Sequence, residues 1–377
     1  MAHAESTRDL YEHLERVAPD LEAMARQAEI DRRPSAELAS LMKRARIPMS
    51  KVPRDVGGFE ITPAEQVDYF ARLAYLNPTA GWVAFNQSGA AGVAGAILPE
   101  AGLERVFAQD APLFAAVSAP TGHCRKVEGG YRVTGRWGYA SGIDIAEWVA
   151  ALTLSDEPPG PRFVILERHQ VQTQDNWHVA ALKGTGSLDI VVEDEFVPDC
   201  LTASPFEQKR GGNQYFKLGL RSYVAGENLG FSLGVAQRFV HEITALARTK
   251  KRVLDPQTVG ERGAFQQELG RTDAILRASR AYMMSELDWA LERAESTGEA
   301  LSAVDQARVS AALAQTTEAL IQAATRLFPY AGAGALHLDH PIQRTYRDLI
   351  GSGQHLVASN ENLDAWGRVL LEAEATA

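Results

Sequence analysis

The period of the apolar residues changes twice along this chain, and this change limits the folds that it can adopt. From about residue 6 to residue 100 apolar side chains recur at helical spacing. Between about residues 113 and 205 short runs rich in β-branched and aromatic residues, LFAAVS and RKVE among them, alternate with Gly, Pro, Asp and Asn, as in strands joined by turns. Residues 158–161, PPGP, predict a surface turn between two of these strands. After Gly219 the helical spacing returns in long stripes, the first from Leu233 to Ala247, which favour a bundle. The sequence therefore predicts an α+β, mainly α fold with a helical domain (1–112), a middle β-domain (113–218) and a helical bundle (219–377).

Local signals place several helix ends in the first part of the chain. Ser35 or Pro34 starts a short helix that ends before Pro48, Pro63 opens the next one at the favoured first position, and Asn77-Pro78 ends that one. The segment that follows, AGWVAFNQSGAAGVAGAIL, is dominated by Gly and Ala. Such a helix lets a ligand come close, although tight packing against another helix is the alternative.

Charge and cysteine content exclude several classes of protein. The 48 acidic and 38 basic residues give a net charge of −10 without a long block of like charge, which disfavours nucleic acid and anionic membranes as partners. Two cysteines, Cys124 and Cys200, do not make a disulfide framework, and the nine histidines form no metal-ligand pattern. We expect a reduced, metal-free, cytoplasmic protein, with neither a signal-peptide core nor a membrane-spanning stretch.

The segment GGYRVTGRWGYASG, residues 129–142, carries the clearest sign of a binding site. Gly129-Gly130 predicts a hairpin turn, after which a strand leads through Trp137 and Tyr139 to Ser141-Gly142. The aromatic rings offer a flat apolar face, the Ser141 hydroxyl offers a hydrogen bond, and Gly142 admits a close approach. This combination predicts a surface for a flat ring, and an ordinary hairpin with aromatic core residues is the alternative.

Together with WHVAALKGTGSLDIVVEDEFVP, residues 177–198, this segment resembles the middle β-domain of the acyl-CoA dehydrogenase superfamily. Within it the pattern is similar to the two-component, group D flavin-dependent monooxygenases, a branch with phenol and secosteroid hydroxylases, dibenzothiophene monooxygenase and amino-sugar N-oxygenases. The resemblance runs from Pro53 to the last helix. It implies an acyl-CoA dehydrogenase fold: an N-terminal helical domain, a middle β-barrel or sandwich and a C-terminal four-helix bundle, assembled as a homotetramer.

The resemblance also implies an activity. A separate flavin reductase would supply reduced FMN, with FAD possible, and O2 would form a C4a-hydroperoxyflavin that hydroxylates or N-oxygenates a small organic substrate. The alternatives are an FAD-dependent acyl-CoA dehydrogenase and a non-catalytic flavin-storage bundle. Two departures disfavour a dehydrogenase: its R-x-x-F-G element is absent from residues 247–266, and Asp339 is displaced by one residue from the place of the glutamate base.

The resemblance assigns two catalytic residues. Ser141 would hold the hydrogen at flavin N5 and so prevent loss of peroxide, and a turn-capping serine is the alternative. His355 would lie near the flavin and the reacting oxygen, where its charge state is adjustable near neutral pH, and a structural histidine is the alternative. His337 and His340 are weaker candidates.

The remaining predicted site residues would contact the flavin or the substrate. Those assigned to the flavin are Trp137, Tyr139, Ser141, Gly142, Thr185, Gly186 and Ser187. Trp177 is assigned to the core instead. The substrate pocket would include Trp82, Asn86 and Ala90, and because no histidine follows Trp82 at the place where phenol-hydroxylating relatives have one, a phenolic substrate is disfavoured.

Overall fold

A computed structural model describes residues 6–212, 217–253 and 255–375, with the side chains of 373–375 excepted. Its described residues are mainly helical and contain one mixed sheet, which confirms the predicted fold class. The chain divides into two compact units, Met1–Ile61 with Trp82–Val179 and Lys183–Phe216, and Thr62–Gly81 with Ala180–Leu182 and Lys217–Ala377. The three-domain division stays a prediction, and its ends at residues 1–5 and 376–377 lie outside the described residues.

The N-terminal part of the chain contains five α-helices. They are α1 (Thr7–Asp31), α2 (Ala36–Arg44), α3 (Pro63–Leu76), α4 (Pro78–Ile97) and α5 (Glu100–Val106). Side-chain caps explain where several begin: Ser6 and Asp9 form a capping box at α1, and the Ser35 hydroxyl accepts the Leu38 N–H at α2. The predicted helix ends at Ser35, Pro63 and Asn77 are confirmed.

The first unit contains a sheet of seven strands, which position the candidate site. The strands are β1 (Phe114–Val127), β2 (Gly130–Ala140), β3 (Trp148–Asp156), β4 (Pro159–Glu167), β5 (Gln172–Gln174), β6 (Leu188–Pro198) and β7 (Thr202–Ala203), in the order β5-β6-β2-β1-β3-β4-β7. The hairpin predicted at Gly129-Gly130 joins β1 to β2, with Gly129 at φ 75°. β1 and β3 pair in parallel, and the other strand pairs are antiparallel.

Two runs that the sequence separates, LFAAVS and RKVE, belong to the single strand β1. A register shift against β3 between Val117 and Gly122 breaks the alternation of apolar and polar residues there. The turn predicted at residues 158–161 joins β3 to β4, because Asp156 pairs with Pro159. The short strands β5 and β7 carry too few residues to show a period of their own.

The second unit is built from helices. Besides α3 it contains α6 (Gly219–Tyr223), α7 (Ala225–Thr249), α8 (Gly263–Thr297), α9 (Ala303–Leu327), α10 (Pro341–Ser352) and α11 (Glu361–Ala375). α7 begins eight residues before Leu233, where the predicted apolar stripe starts. Its first turns contact α3 through glycines, which add nothing to an apolar stripe. A Cβ atom on Gly230 would lie 2.7 Å from the Val67 carbonyl oxygen, and Gly226 and Gly234 approach Pro63 and Ala71 as closely. No helix in the described ranges combines the length and apolar composition needed to cross a membrane.

Candidate functional site

Three hydroxyl groups meet where β2 ends and β6 begins, and we call Ser141, Thr185 and Ser187 the hydroxyl cluster. The Ser141 Oγ lies 2.8 Å from the Ser187 Oγ, which lies 2.6 Å from the Thr185 Oγ1. All three side chains are buried. The structure therefore brings together three residues that the sequence places in one site, although they come from segments more than 40 residues apart.

Two glycines give the backbone its path through the hydroxyl cluster. Gly142 has φ 73°, its N–H donates to the Thr185 carbonyl over 2.8 Å, and a Cβ atom there would lie 2.6 Å from the Val83 Cγ1. Gly186 has φ 53° and separates the two residues whose hydroxyls meet. Both positions therefore favour glycine, since residues with a Cβ atom adopt positive φ only with strain.

The predicted substrate-pocket residues lie on one face of α4. The Trp82 indole Nε1 donates to the Ser141 Oγ over 3.2 Å, and this bond connects α4 to the hydroxyl cluster. Asn86 and Ala90 follow at intervals of four residues and so share the face of Trp82. The Asn86 Nδ2 donates to the Trp82 carbonyl over 3.0 Å, so part of its polarity is satisfied within the helix.

The number of hydroxyl hydrogens limits the hydrogen bonds that the hydroxyl cluster can offer to a ligand. Three hydroxyls carry three hydrogens, and the two bonds that link them use two. When Thr185 donates to Ser187 and Ser187 donates to Ser141, both lone pairs of Ser141 are filled, because Trp82 donates to it as well. In this direction the Ser141 O–H can donate to a ligand. In the reverse direction Ser141 donates to Ser187 and keeps a lone pair that can accept a ligand N–H.

The structure contradicts the prediction that Trp137 walls a ring. Its side chain is only 1% exposed, and its Nε1 donates to the Leu152 carbonyl over 3.0 Å. A Cβ atom on Gly135 would lie 2.5 Å from its ring, so the indole fills space that two glycines leave in the sheet. Trp137 is a core residue, because its ring has no surface left to offer a ligand.

The exposed ring of Tyr139 pairs with the half-buried ring of Trp177 instead. Tyr139 is 70% exposed and adopts φ 70°, a conformation that is strained for a residue with a Cβ atom. Its ring centroid lies 5.9 Å from that of Trp177 in an edge-to-face arrangement. The Arg32 Nη1 donates to the Trp177 carbonyl over 3.0 Å and helps to place it. The sequence predicts Trp177 as a core residue, since a lone Trp before a strand is more often part of the core. Its place beside Tyr139 was therefore not among the predicted flavin contacts.

His355 lies in the second unit, in the segment between α10 and α11. It caps the short 3-10 turn Leu356–Ala358: its Nδ1 accepts the Val357 N–H over 3.4 Å. Burial lowers the pKa of His355 to about 4. The ring is therefore neutral at neutral pH, which contradicts the expectation that its charge changes there.

Side-chain amides hold the His355 segment in place. The Asn362 Nδ2 lies within 3.3 Å of the carbonyl oxygens of Leu356, Val357 and Ser359, and the Arg221 Nη1 donates to the Asn362 Oδ1 over 2.8 Å. The other two histidine candidates differ: His337 is exposed, and His340 caps α10 by accepting the Ile342 N–H over 3.3 Å. Asp339 is also exposed. Among the described residues, no group of His, Cys, Asp and Glu could hold a metal ion.

This chain is similar to a known family model and to several named proteins. Residues 230–360, which include His355, match the family model for the acyl-CoA dehydrogenase C-terminal domain. A pigment production hydroxylase of Rhodococcus erythropolis is 28% identical, over 93% of this chain and 92% of the relative. An indole-3-acetate monooxygenase of Pseudomonas putida is 26% identical (88% and 86%). The oxygenase component of an FADH2-dependent resorcinol hydroxylase of Rhizobium sp. is also 26% identical (94% and 91%).

Solved structures are similar to this chain in fold. XiaF from Streptomyces sp., in complex with FADH2 and glycerol, has a TM-score of 0.86 at 21% identity, with 97% of this chain and 96% of XiaF covered. FMN-bound TdsC from Paenibacillus sp. has a TM-score of 0.79 at 15% identity, covering 97% and 98%. The comparisons confirm the acyl-CoA dehydrogenase fold and the resemblance to the flavin-dependent monooxygenase branch.

Proposed function

We propose that this chain, which carries an acyl-CoA dehydrogenase C-terminal domain, is the oxygenase component of a two-component flavin-dependent monooxygenase. A separate flavin reductase would deliver reduced flavin, and the chain would use O2 to hydroxylate or N-oxygenate a small organic substrate. The relatives named as hydroxylases, monooxygenases and oxygenase components favour this function over an acyl-CoA dehydrogenase. The observation that carries the proposal is the buried Ser141 hydroxyl, with Trp82 and Ser187 beside it.

The residues present fit a flavin. The exposed ring of Tyr139 and the half-buried ring of Trp177 offer an apolar face for a flat ring system, and the hydroxyl cluster offers a hydrogen-bonding group for its polar edge. Gly142 and Gly186 let the backbone take the path that this arrangement requires. When bound, a reduced flavin supplies the electrons that activate O2.

Ser141 would hold the hydrogen at N5 of the ring by accepting a hydrogen bond from it. Trp82 donates to the Ser141 Oγ, and when Ser141 donates to Ser187 its second lone pair is left for that hydrogen. Burial of all three hydroxyls keeps water from competing for that hydrogen. The role of Ser141 is therefore to suppress the unproductive release of peroxide.

His355 would act as a neutral hydrogen-bond donor. With a pKa of about 4 it does not bind a proton at neutral pH, so it offers an N–H group to the oxygen that is transferred. This role differs from that of a base that takes a proton from the substrate. Trp82, Asn86 and Ala90 remain the proposed substrate-pocket residues.

The finer assignments belong to the same proposal. We propose FMN as the flavin and FAD as the alternative, because TdsC was solved with FMN and XiaF with FADH2. The family resemblance supports a homotetramer, and the small number of cysteines agrees with a cytoplasmic location. Size-exclusion chromatography with light scattering tests the homotetramer.

Flavin titration tests the function. The protein must capture reduced flavin from solution and release the oxidised form, so we expect reduced FMN to bind at least tenfold more tightly, a difference of about 1.4 kcal/mol. Anaerobic and aerobic titrations measure the two dissociation constants, and equal values would contradict the proposal. The purified protein should be nearly colourless, whereas an acyl-CoA dehydrogenase is yellow and is bleached by acyl-CoA.

A further inference from the structure

The ring of His355 lies beside the side-chain amide of Asn228, a residue that no sequence pattern singles out. Asn228 lies in the first turn of α7, is 1% exposed, and places its Nδ2 3.3 Å from the His355 Nδ1. The two residues are 127 positions apart in the chain, and both belong to the second unit. A buried amide thus contacts one particular nitrogen of the proposed catalytic imidazole.

The neighbours of Nδ1 determine where the proton of the neutral ring lies. The main-chain N–H of Val357 can only donate, so its bond to Nδ1 requires a lone pair on that atom. The Asn228 amide donates to the same atom when its Nδ2 faces the ring. Two donors converge on Nδ1, and the single ring proton is therefore on Nε2.

We propose that Asn228 is a positioning residue that holds His355 in the Nε2–H tautomer, so that the ring offers a donor at Nε2. The donor's use in oxygen transfer rests on the proposed function, whereas the tautomer itself does not. Burial makes the assignment important, because a neutral imidazole donates from only one nitrogen. A ring with its proton on Nδ1 would present a lone pair at Nε2 where a donor is needed.

The other atom of the Asn228 amide supports a specific role. Its Oδ1 is buried without a hydrogen-bond partner among the described residues. An unsatisfied carbonyl oxygen destabilises a folded protein, so an apolar side chain would be the more stable choice at this position. The bond from Nδ2 to His355 is what an apolar side chain could not supply.

His340 provides a matched control within the same chain. It caps α10 as His355 caps its turn, with Nδ1 accepting the N–H two residues later. In the described part of the chain, Ile342 is the one hydrogen-bond donor to that ring. Substitutions at Asn228 should therefore change the spectrum of His355 and leave that of His340 unchanged.

Nuclear magnetic resonance of protein labelled with 15N-histidine tests the proposal without flavin or substrate. His355→Gln and His340→Gln identify the two signals. At neutral pH the wild-type His355 should show the Nε2–H pattern in two-bond 1H–15N correlations. Asn228→Asp should move the proton to Nδ1 or protonate the ring, because a carboxylate accepts from Nδ1–H. Asn228→Leu leaves the Val357 bond in place, but that bond is long at 3.4 Å, so this variant should give a mixture of tautomers.

Three outcomes would overturn the proposal. They are a wild-type ring protonated on Nδ1, an unchanged His355 pattern in both folded Asn228 variants, and equal changes at His340. The first outcome is measured on the wild-type protein alone. The proposal can therefore be tested even if an Asn228 variant fails to fold.

Kinetics with reduced FMN separates the tautomer from the function. If the donor at Nε2 serves oxygen transfer, Asn228→Asp should lower the rate of product formation at least about tenfold, since the wrong tautomer withdraws the donor. A variant with the altered tautomer and an unchanged rate would contradict the role of His355 in the proposed function and leave the positioning role of Asn228 intact.

Discussion

The hydroxyl cluster and the His355 segment place a hydrogen by different means. In the cluster, each hydroxyl can rotate, and the direction of donation depends on the neighbours acting together. In the His355 segment, a rigid ring receives its neighbours at fixed nitrogens, and burial keeps it neutral. The hydroxyl cluster contains no side chain that titrates near neutral pH. The second region contains His355, whose pKa is lowered by burial.

This difference leads to different sensitivities. A chain of hydroxyls has no protonation state to lose in mild acid, but it loses its direction when one member is removed. A partly buried imidazole tolerates rearrangement of distant groups, but it is sensitive to acid and to the choice of tautomer. We therefore expect a change of pH to affect the His355 segment and not the hydroxyl cluster. We expect substitutions in the two regions to differ in the size of their effects.

The largest effect should come from His355→Ala. Removing the ring takes away the proposed donor to the transferred oxygen, so the rate of product formation should fall about 10²-fold, a typical contribution of a positioned acid-base or donor group. Single-turnover kinetics with reduced FMN measures it. Binding of reduced FMN should be little changed, and His340→Ala is the matched control with an unchanged rate. Equal rates for wild type and His355→Ala would remove His355 from the site.

Mild acid should produce the next largest effect, on stability. The pKa of His355 is lowered from 6.5 to about 4 in the folded protein, so between these values the unfolded state binds the proton and the folded state does not. Stability attributable to this residue is complete above pH 6.5 and is lost as the pH falls towards 4. Between pH 7 and 5 the loss should be roughly 2 kcal/mol.

Denaturant unfolding of wild type and His355→Gln at several pH values measures this contribution. The free energy of unfolding of His355→Gln should fall less steeply between pH 7 and 5, because glutamine does not titrate. Ser141→Ala should keep the wild-type slope, since the hydroxyl cluster has no titratable group. Parallel curves for wild type and His355→Gln would contradict the lowered pKa.

The smallest effect should come from Ser141→Ala. Loss of one hydrogen bond weakens the interaction by roughly 0.5–1.5 kcal/mol, which corresponds to a two- to twelvefold increase in peroxide released per product formed. Measuring hydrogen peroxide and product in the same reaction gives the ratio. Ser155→Ala, another buried serine of this sheet, is the control with an unchanged ratio. A wild-type ratio in Ser141→Ala would contradict the role of Ser141 at N5.

Much of the fold could be predicted from local patterns. Ser35, Pro63 and Asn77 set helix ends through caps and backbone limits that act within a few residues. The hairpin at Gly129-Gly130 is local in the same way. The early start of α7 was missed because its first turns pack through glycines against α3, and glycine adds nothing to an apolar period.

The aromatic residues show where sequence reasoning fails at the candidate site. Trp137 and Tyr139 are two residues apart on one strand, yet the first is buried and the second is exposed. Trp137 is buried because Gly122 and Gly135 leave a space that its ring fills. Trp177 stands beside Tyr139 because of pairing between distant segments, and no local pattern reports that pairing.

The sequence by itself determined the order of helices and strands, the turn that carries Ser141, and the family resemblance that drew attention to His355. These features depend on side-chain period, caps and glycine conformations, which act over a few residues. Only the tertiary structure decided that Trp82 and Ser187 orient Ser141, and that Asn228 faces the Nδ1 of His355. Hydrogen-bond direction, tautomer and the lowered pKa depend on burial and on partners distant in the chain, and those exist only once the chain has folded.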